Sequence, residues 1–232
     1  VMLKVAIIPA RSGSKRILKK NIKTFHSKPI IYWSIKIAKE SGIFDKIIVS
    51  TDSSEIKKIV EEYNVEVPFL RPSSLSDDYT PTNSVILHSL DYLNSVNYFP
   101  DYACCIYPCA PLMLSDDIVK AFNMMVEKNF EFIYPITKYN HPIQRALRIN
   151  KDSSLAFINP EHELRRTQDL DTSYHDAAQF YWGKSSSWSS GKNMHSCGSG
   201  MIIPSWRVSD IDDDDDWKRS EILFKVLNKE TN

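Results

Sequence analysis

Two segments of the chain carry residue types and spacings suited to phosphate chemistry. Residues 8–21 read IPARSGSKRILKKN. Ser12, Gly13 and Ser14 are small enough to let backbone N–H groups approach a phosphate, and Arg11, Lys15, Arg16, Lys19 and Lys20 supply the charge a polyphosphate requires. Neither GxxxxGKS/T nor GxGxxG is present, so this is not a P-loop or a dinucleotide loop, and a solvated basic loop is the competing reading. The second segment is Asp210-Ile211-Asp212, continued by Asp213 to Asp216. Carboxylates one residue apart on an extended strand project to one face, which suits a hard divalent cation such as Mg²⁺ that also binds substrate oxygens. Asp214 to Asp216 read instead as a solvated run ahead of the last helix, where negative charge favours the N-terminus. His26, His88, His141, His162 and His195 share no metal-ligand spacing, and no Ser-His-Asp order or reactive-cysteine motif points to a covalent intermediate.

The rest of the composition narrows what these segments serve. Among 232 residues, 29 are basic and 29 acidic, and 42% are hydrophobic. A net charge of zero argues against bulk nucleic acid or an anionic membrane as partner, because both need a positive field. Residues 102–114 form an uncharged apolar run broken by Pro108 and Pro111, too short and too kinked to span about 30 Å of hydrocarbon. The N-terminal run is too brief for a secretory signal, so a cytoplasmic location is expected. Cys104, Cys105, Cys109 and Cys197 make no CxxC pair and read as reduced, buried thiols; on a strand, Cys104 and Cys105 would face opposite ways.

The elements that must position these groups alternate. Residues 3–9 read as a buried parallel strand, and residues 30–38 carry Ile30, Trp33 and Ile37 at helical spacing with Gly42 just beyond. Residues 46–50 are the next strand, and Asp52 with Glu55 resembles a capping box opening a second helix. A proline-rich loop over 68–81 leads to a helix bearing Ile86, Leu90 and Leu93, then a strand at 103–107. Ser115 is positioned to cap a further helix, and 132–136 is the strand after it. This order implies a mainly parallel sheet covered on both faces. After residue 140 the rhythm changes to a hairpin, 146–149 with 155–158, further strands at 179–182 and 201–203, and a last helix over about 217–227. No internal repeat or linker divides the chain, so one domain spans 1–232.

The order of residues adds what charge counting does not. IPARSGSKRILKKNI at 8–22 resembles the N-terminal signature of the sugar-acid cytidylyltransferases, enzymes that make CMP-activated nonulosonic acids. The likeness continues through IIVSTDS at 47–53, LRPSSLSDD at 70–78, YPCAPL at 107–112 and VSDIDDDDDW at 208–217. Within that family, RRTQDLDTSYHDAAQFYWGK at 165–184 is most similar to the branch that acts on pseudaminic acid. The resemblance implies a Rossmann-like α/β fold of the nucleotide-diphospho-sugar transferase type, with a mixed, mainly parallel sheet flanked by helices and a hairpin-rich sugar-binding and dimerisation extension near 140–182. It implies a homodimer in which that extension reaches the partner's site.

Roles carry over position by position. The resemblance implies that Ala10, Arg11 and the backbone of Ser12, Gly13 and Ser14 hold the CTP phosphates, with Lys20 and Asn21 near the α-phosphate and ribose. It places Arg71 on the cytosine and Asp78 near the nucleotide loop, and makes Asp210 and Asp212 the Mg²⁺ pair. Arg11, Lys20 and Asp212 would be catalytic. Tyr107 stands where a base-reading Gln is usual, Leu18 where Pro is common and Ser27 where Gly is. A nine-carbon sugar acid presents a carboxylate, hydroxyls and amides, and Arg165, Arg166, Gln168, His175, Asp176 and Gln179 have matching capacities; the resemblance implies a further contact at Gln144 or Arg145, with Arg145 preferred. His175 and Asp176 also read as a structural pair. On an extended segment, His175, Ala177 and Gln179 would face one side and Asp176 the other.

The implied reaction is attack of the sugar's anomeric hydroxyl on the α-phosphorus of CTP, releasing pyrophosphate; a metal-bound hydroxide or alkoxide and a carboxylate such as Asp212 both stand open as its base. Sialic or legionaminic acid is the alternative substrate. A non-catalytic nucleotide-sugar-binding regulator is the alternative of another class.

Overall fold

A computed structural model describes residues 2–230 of the chain. The strands are β1 (Lys4–Pro9), β2 (Thr24–Phe25), β3 (Lys28–Pro29), β4 (Lys46–Ser50), β5 (Tyr102–Ile106), β6 (Phe132–Lys138), β7 (Leu147–Ile149), β8 (Leu155–Phe157), β9 (Tyr174–Asp176), β10 (Phe180–Lys184) and β11 (Gly198–Ile202). The helices are α1 (Ile30–Glu40), α2 (Ser54–Glu61), α3 (Thr82–Ser95), α4 (Ser115–Glu127), α5 (Ser185–Ser189) and α6 (Asp214–Glu230). The main sheet runs β11-β6-β10-β5-β1-β4, with β9 added on β6. β1 is parallel to β4 and β5, and β11 to β6, whereas β10 lies antiparallel between β5 and β6 and β9 is antiparallel to β6. The fold is therefore the mixed, mainly parallel α/β sheet expected.

Helices bury both faces, because apolar residues recur at their helical spacing and the strands are apolar on both sides. Ile31 and Ile35 of α1, Ile56 and Val60 of α2, and Ile118 and Ala121 of α4 share one core with Ala6, Ile8 and Cys104. Ile86, Leu90 and Leu93 of α3 and Trp188 of α5 pack with Val5, Ile7 and Cys105 on the other face. Cys104 and Cys105 thus do point to opposite faces of β5, both as buried free thiols; Cys197, by contrast, is exposed. A third cluster packs Phe25 against Trp217 and Phe224 of α6, with ring centroids 5.5 and 5.3 Å apart, and takes in Ile17 and Ile211. That cluster seats the Asp210–Asp212 segment beside the basic loop.

Several local expectations are corrected. Ser53, not Asp52, caps α2: its hydroxyl accepts the Ile56 N–H at 3.3 Å, because Asp52 is turned toward the basic loop. Glu55 binds Lys19 at 2.8 Å instead of reaching back over the helix start. Ser115 is the first residue of α4 and makes no cap; Leu114 precedes it. Asp214 to Asp216 form the first turn of α6 instead of lying ahead of it, with Asp216 N–H bonded to Asp213 Oδ1 at 2.9 Å. Ala178, at φ 52, breaks the extended run between β9 and β10. The alternation expected through 175–179 therefore ends there. The hairpin at 147–157 pairs as expected but stands as its own two-stranded sheet, β7 with β8.

Candidate nucleotide-binding cleft

β1 and β5 run parallel, so their C-terminal ends open on the same side of the sheet, where ligands bind in folds of this kind. A cleft of about 640 Å³ lies there, lined by Arg11, Lys15, Arg16, Lys20, Arg71 and Asp210, among others. The basic loop that leaves β1 is held by carboxylates from other loops. Arg11 Nη1 donates to Asp78 Oδ1 at 2.6 Å and to the Asp77 carbonyl at 2.9 Å, and Lys15 Nζ meets Asp78 Oδ2 at 2.5 Å. These cations hold the Asp78 carboxyl below its ordinary pKa, Lys15 more than Arg11. Ser12 gives both its N–H and its hydroxyl to Asp52, at 2.8 and 2.6 Å. Ser14 N–H donates back to the Ser12 carbonyl at 2.9 Å.

The backbone N–H groups of Ser12 and Ser14, expected to cradle phosphate, are thus already engaged within the protein. Ser12 is a loop anchor. Ala10 likewise belongs to the core, its N–H on the Ser50 carbonyl at 2.9 Å. At Gly13 an added Cβ would meet nothing within 4 Å, so space above the loop is open. Asn21, buried, donates to the Arg11 carbonyl at 2.8 Å and accepts from Cys109 Sγ at 3.1 Å, which ties the loop's two ends. Burial pushes the Cys109 thiol up to about 12, so it is a packing group and not a nucleophile.

Deeper in the cleft lies Arg71, 5% exposed, whose Nε and Nη2 have no acceptor. Desolvation lowers its pKa, as expected of a cation removed from water without an ion pair. Thr82 and Tyr107 line the same space, their hydroxyls 3.4 Å apart. Lys20 Nζ, which also lines the cleft, donates to the Ile211 carbonyl at 2.6 Å, and Arg16 pairs at 2.8 Å with Asp212, which does not itself line the cleft. Burial of Ile211 leaves Asp210 and Asp212 on either side of an anchored residue. The Asp210 carboxyl is raised, first by partial desolvation and then by the neighbouring Asp212 carboxylate. Close carboxylates that repel one another, with cations and open space around them, are a donor set suited to Mg²⁺ shared with phosphate oxygens. Among the described residues no group of at least 3 His, Cys, Asp or Glu side chains comes together to enclose a metal.

The residues expected to hold a sugar lie elsewhere. Arg145 sits over the Phe157 ring at 5.9 Å, Arg165 bonds the Asp169 carbonyl at 3.1 Å, and Gln168 is exposed on the same extension. His175 Nδ1 is 2.9 Å from the Asp176 carbonyl, and its ring packs on Tyr139 at 4.7 Å. Asp176 accepts from the Ala178 N–H at 2.8 Å and the Tyr181 hydroxyl at 2.7 Å. Gln179 is 3% exposed and donates to the Arg207 carbonyl at 2.7 Å, a core position that the break at Ala178 creates. None of these six lines the cleft. Sequence reasoning missed Asp52, Asp77, Thr80 and Thr82; for Asp52 the signal was its place just past the C-terminal end of β4.

Among the described residues no helix is long and apolar enough to cross a membrane. Residues 5–193 match the family described as Cytidylyltransferase. The chain is 38% identical over 226 residues to a pseudaminic acid cytidylyltransferase of Campylobacter jejuni, covering 97% of each. It is 30% identical to an N-acylneuraminate cytidylyltransferase of Escherichia coli over 68% of this chain and 37% of that one. Among solved structures, CMP:2-keto-3-deoxy-manno-octonic acid synthetase complexed with CTP superposes with a TM-score of 0.72 at 12% identity, over 97% of this chain and 99% of that chain. The fold, the cationic cleft at the strand ends and the matched sequence agree: this chain belongs to the cytidylyltransferase family.

Proposed function

We propose that the protein activates pseudaminic acid with CTP, giving CMP-pseudaminic acid and pyrophosphate. The observation that carries this is one cleft lined by Arg11, Lys15, Arg16 and Lys20 together with Asp210 and with Arg71, whose Nε and Nη2 have no acceptor. Nucleotidyl transfer gains mainly from positioning and charge neutralisation. Arg11 and Lys15 would exchange Asp78 for the β- and γ-phosphates, and Lys20 would neutralise charge growing on the α-phosphate as the anomeric oxygen attacks and pyrophosphate leaves. Asp210 and Asp212 would hold Mg²⁺, which when bound supplies further charge neutralisation for the triphosphate. Arg71 would donate to the cytosine.

The choice of sugar is supported by 38% identity over nearly the whole of a pseudaminic acid enzyme and by the motif at 165–184. Because the sugar-directed side chains of this extension do not line their own chain's cleft, the reading includes a homodimer in which each extension completes the other copy's site. Leu147, Ile149, Leu155 and Leu164 support it, at 50, 76, 64 and 96% exposed. The test is incubation with Mg²⁺, pseudaminic acid and each nucleoside triphosphate in turn, with products weighed by mass spectrometry. CMP-pseudaminic acid from CTP is the expected product; no nucleotide sugar from any triphosphate would refute the function.

A further inference from the structure

One wall of the cleft is itself anionic. Leu75, Asp77, Asp78 and Thr80 line it from the segment between Pro72 and Pro81. Asp78 spreads its carboxylate over two cations of the basic loop, one oxygen to each, with Oδ1 on Arg11 at 2.6 Å and Oδ2 on Lys15 at 2.5 Å. A phosphate group that takes the same two cations does so in the same way, through two oxygens of one anionic centre. Carboxylate and phosphate therefore compete for one seat.

Asp77 shapes the turn that presents Asp78. Its Oδ1 accepts the Tyr79 N–H at 3.0 Å and both the N–H and the hydroxyl of Thr80 at 2.7 Å, bonds that stay within the turn. Among the described residues, the polar contacts that tie residues 77–80 to other segments run to Arg11 and Lys15, one of them from the Asp77 carbonyl. The seat of the anion is thus also the latch of the turn. With the Arg11, Asp78 and Lys15 side chains 37, 32 and 81% exposed, these are surface ion pairs, which a polyphosphate of higher charge overcomes.

We infer that Asp78 is a tethered anion that holds the triphosphate seat while the cleft is free of nucleotide, is displaced with the turn 77–80 when CTP binds, and returns as pyrophosphate leaves. This rests on the placement of the β- and γ-phosphates on Arg11 and Lys15 proposed above. An internal competitor lowers the affinity of each polyphosphate by the same factor, because each must displace the same carboxylate. It acts on pyrophosphate as it does on CTP, and so counters retention of the leaving group. Asp78 regulates occupancy of the site and touches no reacting atom.

Titration calorimetry of the full chain with CTP and with pyrophosphate, each in Mg²⁺ and without sugar, tests the tethered anion. Asp78→Asn keeps the side chain's size and removes its charge, so both ligands should bind about 3- to 30-fold more tightly, the range for two exposed ion pairs lost from the competing state. A carboxylate that instead served the nucleotide or its metal would make the same variant bind more weakly. Glu55→Gln makes an equal change of charge beside Lys19 of the same loop, away from the cleft lining, and should leave both affinities within about twofold of wild type. Weaker binding in Asp78→Asn, or a gain no larger than that of Glu55→Gln, overturns the tethered anion while the CTP site stands. Wild type that binds neither ligand overturns the proposed function itself, and the tethered anion with it.

Discussion

Asp210 and Asp212 differ from the aspartates that follow them in what their neighbours do. Ile211 is 1% exposed and pins the segment, Lys20 grips the Ile211 carbonyl, and Asp216 Oδ2 accepts the Asp212 N–H at 3.1 Å. Asp215 in the first turn of α6 has only the helix N-terminus to serve. Asp212→Ala should therefore lower turnover by about 10²-fold or more, since one lost electrostatic contact to a transition state costs roughly 2.7–4 kcal/mol. Asp215→Ala should stay near wild type in the same steady-state assay. Equal losses in both would remove the metal role from Asp212. Gln179 shows the opposite case, a residue whose type suggests a ligand and whose placement is structural. Its amide bonds the Arg207 carbonyl, and Arg207 in turn pairs with Asp117 at 2.5 Å. Gln179→Ala should cost about 1–3 kcal/mol in denaturant unfolding, by leaving that buried carbonyl unpaired, with CTP affinity unchanged in the folded protein.

The strand-loop-helix unit around the basic loop was legible in sequence because its information is local. An apolar run, a cationic small-residue loop and an amphipathic helix closed by Gly42, at φ 62, each announce themselves within a few residues. Asp52 and Asp78 were less legible as partners. Asp52 lies far along the chain from Ser12, and its likeness to a capping residue hid its bond to the loop. The break at Ala178 was hidden too, because alanine does not advertise a positive φ as glycine or asparagine would. Arg11→Ala should weaken CTP binding about 10- to 100-fold by calorimetry, the range for losing charged hydrogen bonds. Lys57→Ala on α2, where Lys57 pairs with Glu61 at 3.7 Å, should not change it. Wild-type affinity in Arg11→Ala would move the triphosphate out of this loop. Asp52→Ala frees Ser12 but leaves Arg11 and Lys15 in place, so it should weaken CTP binding less than Arg11→Ala does.

For the whole molecule, the alternating strands and helices foretold the layered sheet, while the antiparallel insertion of β10 between β5 and β6 came only from tertiary pairing. The extension at 140–182 carries apolar side chains outward that an isolated chain leaves in water. Ile149→Asp with Leu155→Asp should turn a dimer into a monomer in sedimentation velocity and suppress sugar use, with CTP still bound; a wild-type chain that sediments as a monomer would contradict the shared site.

On the proposed function, that extension and the cleft act together as one enzyme for one sugar acid. The most direct test of that reading is kcat/KM measured by pyrophosphate release from CTP and Mg²⁺ with pseudaminic acid and with N-acetylneuraminic acid. A polar pocket built for one acid leaves buried donors and acceptors unpaired against the other, and discrimination of that kind reaches about 10⁴-fold. Release that is far faster with pseudaminic acid is the predicted result. Equal release with both acids, or faster release with N-acetylneuraminic acid, would contradict it.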